Sequence, residues 1–436
     1  VRRVLGLGDL LLIAAASIGP AFSLATTFGP MVEAGGSATP VALLLLAAIM
    51  LCVAVGYRRL GERFPNAGST YTWVQVAFGP IAGAYAAWIL IVANIFAVVA
   101  TSVPAGAYTL SLIAPSLAPS PLADALAGAA WVAAAGLLLW RGLAPTSRVA
   151  NALAIGEFVV LAVSAVVAFR HAPVAQAVAL APAPGLAGLA GALVLGIWMI
   201  DGWEVSASTA EEARDAENGP GVGGLLGLVL TSAVLFGCMA AFLRVGTLAG
   251  FSAHEGDALA YVGSAIGGGP WRVAITITVL ASLAAALQAT LIYLTRSFFA
   301  MGRDGVLPLA LGALDVRGQP TRAVVLLTGI GIAGTLASGF SPDIRSAFDF
   351  ILEGTSAFIG ALFVISAAAA VRIFAHEPGE RWAGVILPAI GTLSLTAIIG
   401  YSLANDDGPT RTFIAVAALA GVPLALWRAR AWVPAG

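Results

Sequence analysis

Near the middle of the chain, Trp198-Met199-Ile200-Asp201-Gly202-Trp203-Glu204 interrupts an apolar run with two carboxylates and a glycine. A charge at membrane depth costs several kcal/mol, so it persists only beside a partner, a cavity or a bound ion. A helix broken at that depth also bares backbone donors and acceptors that need partners. Trp198 and Trp203 flank the acids, and the face of an indole attracts a cation. Asp201, Gly202 and Glu204 with these two tryptophans therefore have the chemistry of a site for something small, polar and charged.

A second interruption lies in the first apolar run, at Ser17-Ile18-Gly19-Pro20-Ala21. Proline has no backbone N–H and clashes with the preceding turn, so a helix kinks or stops there. The plain alternative is a pair of kinked helices packed on neighbours, because glycine and proline are common in membrane helices. The two acids tip the later break towards function; the earlier one stays evenly balanced. Glu157 is a third acid within an apolar run. It can bind a cation, carry a proton, pair with an arginine, or make a structural hydrogen bond.

These residues need helices to carry them. The chain is 60% apolar and 10% charged, with a mean hydropathy of +0.96. Soluble domains carry roughly 25% charged residues, so most of this chain belongs in a bilayer, with lipid as a partner. A net charge of −1 argues against a nucleic-acid partner. Cys52 and Cys238 both fall in apolar runs, too few for a disulfide framework or a metal site. No cofactor is expected.

A spanning helix needs about 20 apolar residues. Twelve runs qualify: 8–31, 39–58, 78–110, 122–143, 147–169, 186–209, 221–245, 270–299, 321–339, 346–373, 382–403 and 409–429. With the N-terminus inside, sixteen arginines fall on the inner side and five on the outer. That bias predicts a multi-pass protein of the cell's inner (plasma) membrane with both termini cytoplasmic. Residues 254–264 are expected to form a short external helix, and 298–314 a surface helix broken at Gly305 and Pro308.

Each interrupted span opens a block of five. Paired breaks in corresponding positions mark an inverted-repeat transporter with its substrate between them. The expected organisation is one transmembrane domain over 1–436. Its first repeat is 8–170 (spans 1–5), its second 186–373 (spans 6–10), and spans 11 and 12 follow at 382–430.

Four stretches together resemble the amino acid–polyamine–organocation family. They are Ile18-Gly19-Pro20-Ala21-Phe22, "RFPNAGSTYTWVQVAFGP" at 63–80, "GIWMIDGWEVSASTAEEARDAENGP" at 196–220, and "SFFAMGRDGVLP" at 297–308 with "QPTRAV" at 319–324. The resemblance implies an all-α LeuT-type fold with a 5+5 inverted repeat plus two C-terminal helices. It also implies alternating-access transport of amino acids or related amines. It further implies a substrate-facing role for Trp198 and a pH-responsive one for Glu204. In some proton-coupled members a lysine stands near the position of Glu157, where sodium-coupled members hold sodium.

Two departures bear on the substrate. The family's usual Gly-x-Gly turn in span 1 offers several N–H groups to a carboxylate. Here Pro20 has none and Ala21 replaces a glycine. Asp201 stands where many relatives have an apolar residue. Both changes favour a substrate rich in ammonium groups, an amine or polyamine.

The substrate-binding set is thus Ser17, Ile18, Gly19, Pro20, Ala21, Trp198, Asp201, Gly202, Trp203 and Glu204. Glu157 and Glu204 are candidates for handling a coupling proton or cation. Glu211, Glu212 and Arg303 are expected as a cytoplasmic gate, with a solvated charge cluster as the alternative. The leading reading is a proton-coupled importer of an amino acid or amine, with a substrate/product exchanger as a close variant. A channel would need a continuous polar lining. A transporter-like sensor usually needs a soluble output domain. An enzyme is least expected, because no catalytic set lies at matching depth.

Overall fold

A computed structural model describes residues 3–117, 120–171, 173–180, 185–340, 344–405 and 408–431. Asp349 and Glu353 fall in the first turns of a helix, 344–353, whose side chains lie outside the described set.

The first span is two helices, α1 (Leu7–Ile18) and α2 (Pro20–Gly35), separated by a single residue. Gly19 takes left-handed torsions (φ 59, ψ 62), which glycine adopts without a Cβ penalty. Pro20 follows at the first position of α2, where its missing N–H would be unpaired anyway. One dipeptide therefore ends one helix and starts the next. Next come α3 (Thr39–Arg63), α4 (Thr70–Phe78), α5 (Pro80–Ile113), α6 (Pro121–Arg141) and α7 (Leu143–Arg170).

The second interrupted segment is α8 (Leu186–Met199) and the short α9 (Val205–Ser208). Between them Ile200 to Glu204 leave the helical path, and Gly202 has φ 102. The remainder is α10 (Gly219–Val245), α11 (Leu248–Ala253), α12 (Ala258–Arg303), α13 (Thr321–Ser338), α14 (Ile344–Phe374), α15 (Leu387–Asn405), α16 (Pro409–Ala420) and α17 (Val422–Ala431).

Among the described residues there is no strand, apart from isolated bridges at Leu5–Ala213 and Ala177–Thr247. Nine helical runs among them are long and apolar enough to cross a membrane, the first covering Leu7–Arg63. Leu186–Met199 and Arg411–Trp427 are shorter apolar helices. The molecule is an all-α, multi-pass membrane protein.

Two expected elements differ. The external helix starts at Ala258 instead of 254, because the Asp257 side chain caps it by accepting from the Ala260 amide. It then runs through a bend at Gly268 into the spanning part of α12. Residues 298–303 are the end of that same helix and not the start of a surface helix. The chain turns at Gly305 and makes only a short 3-10 turn at Leu309–Gly312. The helix α4 was missed, since it lies in a stretch that reads as polar.

Packing places the breaks at the centre. α1 lies against α7 and α10, α2 against α8 and α12, and α5 against α6 and α14. The core around the breaks is fully buried, with Ile13, Ala14, Ala21, Met199 and Ile200 at 0% exposure.

Candidate functional site: a cavity between two helix breaks

The two breaks meet. A Cβ built on Gly202 would lie 2.8 Å from Ser17 Oγ and 2.9 Å from the Ser17 carbonyl oxygen. Only a glycine lets the later break approach the earlier one this closely, and its positive φ requires the same residue.

A cavity opens beside this contact. Its walls come from both breaks (Ser17, Ile18, Phe22, Ser23, Trp198, Asp201, Gly202, Glu204 and Val205), from α5 (Asn94, Ala97, Thr101), from α12 (Ala286, Thr290) and from α14 (Ile359). The space between the atoms, mouth included, is about 460 Å³. One wall is apolar, where the rings of Phe22 and Trp198 meet edge to face at 6.4 Å. The charged groups of the wall are the carboxylates of Asp201 and Glu204, and among the described residues no arginine or histidine lines it.

The two acids play different parts. The Glu204 side chain is 92% shielded from solvent and accepts the Gly202 amide at 3.0 Å. It therefore ties down the link that precedes α9. Asp201 is partly open to the cavity, and among the described residues no basic side chain pairs with it.

The earlier break satisfies its own backbone. Ser23 Oγ donates to the Ile18 carbonyl at 2.9 Å, and the Phe22 amide donates to Ser282 Oγ at 3.2 Å. Gly19 also packs against Ser282 and Ala286 of α12.

Of the other expected residues, Gly19, Pro20 and Ala21 build the turn and do not line the cavity. Glu157 lies behind that turn, 1% exposed, near Ser282 and the Ala21 backbone. Neither of its oxygens has a hydrogen-bond partner among the described residues. Trp203 faces away from the cavity. It stacks flat on Phe363 (5.4 Å, 9°) and meets Tyr57 edge to face at 5.0 Å. It borders a second, narrower cavity together with Tyr57, Phe64, Asn66 and Trp73, and Glu204 reaches that one as well. The five-residue step from Trp198 to Trp203 crosses the non-helical link, so helical spacing does not place both rings on one wall.

The arginine-rich end is closed by ion pairs. Arg296 of α12 grips Glu212 with two bonds, Nη2 to Oε1 at 2.7 Å and Nε to Oε2 at 3.0 Å. Both side chains are buried, 3% and 5% exposed. Arg303 pairs with Glu211 at 2.9 Å in a more open setting. Arg58 pairs with Glu62, and Arg59 with Glu62 and Glu380. Val4 and Leu5 donate their amides to the Glu212 carbonyl, and the Arg214 amide returns a bond to Leu5. Sequence reasoning named Glu211, Glu212 and Arg303 but missed Arg296, which reads only as one more arginine of the inner set. It also missed Ser282 and Ile359, whose sequence neighbourhoods carry no signal.

Known proteins agree with this architecture. The family model described as amino acid permease matches residues 7–422. The branched-chain amino acid permease BcaP of Lactococcus lactis is 28% identical over 348 residues, 71% of this chain and 72% of that protein. An uncharacterised transporter of Mycobacterium tuberculosis, Rv1999c, is 25% identical over 99% of this chain and 92% of its own length. The uncharacterised amino acid permease YecA of Bacillus subtilis is 25% identical over 83% of this chain and 81% of its own. Two facing helix breaks around a carboxylate-lined cavity are thus set in a chain that belongs to the amino acid permease family of the amino acid–polyamine–organocation transporters.

Proposed function

We propose that this protein is a secondary active transporter that carries an amino acid or related organic amine across the cell's inner membrane by alternating access, driven by a proton. The reading takes the chain as twelve spans with both termini in the cytoplasm. Residues 8–170 and 186–373 are the two inverted repeats, and 382–430 holds the last two spans. The observation that carries it is Asp201, a carboxylate facing a cavity between two broken helices with no basic side chain beside it among the described residues. In a low-dielectric site such a charge calls for a cation, and the ammonium group of the substrate is that cation.

Two further acids support proton coupling. Glu204 lies between the substrate cavity and the narrower cavity on the arginine-rich side. Glu157 sits unpaired behind the first break. A proton on either one removes a buried charge and lowers the cost of closing the site around the substrate. The pairs Glu212–Arg296 and Glu211–Arg303 then form the inner gate, which has to part for release. The apolar wall of Phe22, Trp198 and Ile359 suits a short hydrocarbon side chain.

The test is uptake by the purified protein in liposomes, with radiolabelled L-leucine and isopentylamine as probes. An inward proton gradient should drive accumulation, and a protonophore should abolish it. Accumulation that follows a sodium gradient, or that requires unlabelled substrate inside, would replace proton coupling with sodium coupling or exchange. Single-channel conductance would reject the carrier reading altogether.

A further inference from the structure

The donors and acceptors around the cavity are unevenly distributed. A carboxylate entering it would need N–H groups, a hydroxyl hydrogen or a cation. The usual place for an anion is the exposed start of a helix, and two helices start at this site. The start of α2 is already occupied by the protein, and α9 is a single four-residue turn. At α2 the first residue is Pro20, which has no N–H. The Phe22 amide is spent on Ser282 Oγ and the Ser23 amide on the Gly19 carbonyl. In the link before α9 the Glu204 carboxylate takes the Gly202 amide.

The hydroxyl hydrogens of the wall are spent as well. Thr101 donates to the Ala97 carbonyl, Thr290 to Ala286, and Ser23 to Ile18. What these groups still offer the cavity is oxygen lone pairs. Asn94 Nδ2 donates one hydrogen to the Leu90 carbonyl, which leaves its other hydrogen as a donor and its Oδ1 as an acceptor, and the Trp198 indole N–H has no partner among the described residues. The Ser17 hydroxyl is the one in the wall for which no such partner is described.

The helix ends point to the same conclusion. Both α1 and α8 finish at the cavity, so their negative ends face it. Among the described residues no amide or side chain donates to the last carbonyls of α8. Added to these are the two carboxyl groups of Asp201 and Glu204, and among the described residues of the wall no positive side chain. A ligand carboxylate would stand beside two acids with no cation to offset them, and the donors open to it are the Trp198 indole N–H, one Asn94 amide hydrogen and the Ser17 hydroxyl, whereas an ammonium group finds carboxyl, carbonyl and hydroxyl oxygens.

We infer that the substrate is an organic amine without a carboxylate, with its ammonium group at Asp201 and a short apolar substituent against Phe22, Trp198 and Ile359. This rests on the transporter reading above and sharpens it. It also separates this chain from BcaP, whose name assigns that protein to branched-chain amino acids.

The experiment is a thermal-shift titration of the purified full-length protein, since a ligand raises the melting temperature only by preferring the folded state. Four probes share one hydrocarbon skeleton: isopentylamine, L-leucine methyl ester, L-leucine and isovalerate. The amine and the ester should reach half-effect at a concentration at least tenfold below that of leucine, and isovalerate should give no shift. Ser282→Ala frees the Phe22 amide and should narrow the gap between amine and leucine at least threefold.

Leucine that acts at or below the concentration of its amine overturns the inference, and so does a panel in which neither amine shifts the protein. If leucine wins and Asp201→Asn abolishes its shift, the exclusion of carboxylates falls while the ammonium role of Asp201 stands. If the amines shift Asp201→Asn and wild type alike, the transporter reading loses its anchor and the inference falls with it.

Discussion

Gly202 rests directly against Ser17, so close that a single added carbon would lie 2.8 Å from the serine hydroxyl. These residues are 185 positions apart in the chain, and each sits at the point where its helix stops. The contact holds the two breaks in register, and the cavity forms beside it.

Gly202→Ala tests that register. The new methyl group meets Ser17 and must also accept a φ of 102. Torsional strain of this kind costs on the order of 1–3 kcal/mol. The variant should melt below wild type and lose most ligand-induced stabilisation, as read by thermal shift with and without isopentylamine. An unchanged ligand shift would mean that the breaks do not depend on this contact.

The two ion pairs of the arginine-rich end should differ in worth. Removing one partner of a buried pair leaves an uncompensated charge and costs about 3–5 kcal/mol. Partly exposed pairs are worth about 0–1 kcal/mol. Glu212→Gln should therefore destabilise the protein far more than Glu211→Gln, as measured by thermal melts in detergent. Equal effects would show that the Arg296–Glu212 pair is not the principal lock.

How much of this was legible beforehand depended on distance along the chain. The breaks were, because Gly19-Pro20 and Asp201-Gly202 violate helix chemistry within a few residues. Glu211, Glu212 and Arg303 were legible as charges at a helix end. The partners were not. Ser282 lies 260 residues from the amide it accepts, and Arg296 lies 84 residues from Glu212. The orientation of Trp203 was illegible for another reason: helical spacing stops counting at the non-helical link it follows. The helix α4 was hidden by its composition, as its buried apolar face is short, made of Tyr71, Trp73 and Val74.

Glu157 should report on coupling rather than binding. It stands behind the cavity, so Glu157→Gln keeps the shape and removes the titrating proton. The variant should bind isopentylamine within about twofold of wild type while uptake into liposomes stops responding to a proton gradient. Wild-type accumulation by this variant would assign coupling to Glu204 alone.

The loop before α13 has its own pH dependence. The Asp315 carboxyl is held down to about 2, chiefly by the Gln319 amide, with Thr321 and Arg317 adding further bonds. An acid with a depressed value in the folded state stabilises the structure above its unfolded value near 3.9 and loses that contribution as pH falls through the folded one. Gln319 in turn touches Arg296 of the inner lock at 3.3 Å. Amide exchange at Gln319, corrected for intrinsic rates, should speed up between pH 4 and pH 2 in wild type. In Asp315→Asn it should already be fast at pH 7. A pH-independent rate in wild type would show that this clip does not order the loop.

The most direct measurement of the whole account is isopentylamine accumulation in liposomes by wild type and by Asp201→Asn under the same inward proton gradient. The asparagine keeps the volume and removes the charge, so the variant should insert and melt normally while accumulation falls at least tenfold. If Asp201→Asn accumulates the amine with unchanged affinity and rate, the carboxylate at the break is not the seat of the substrate's ammonium group.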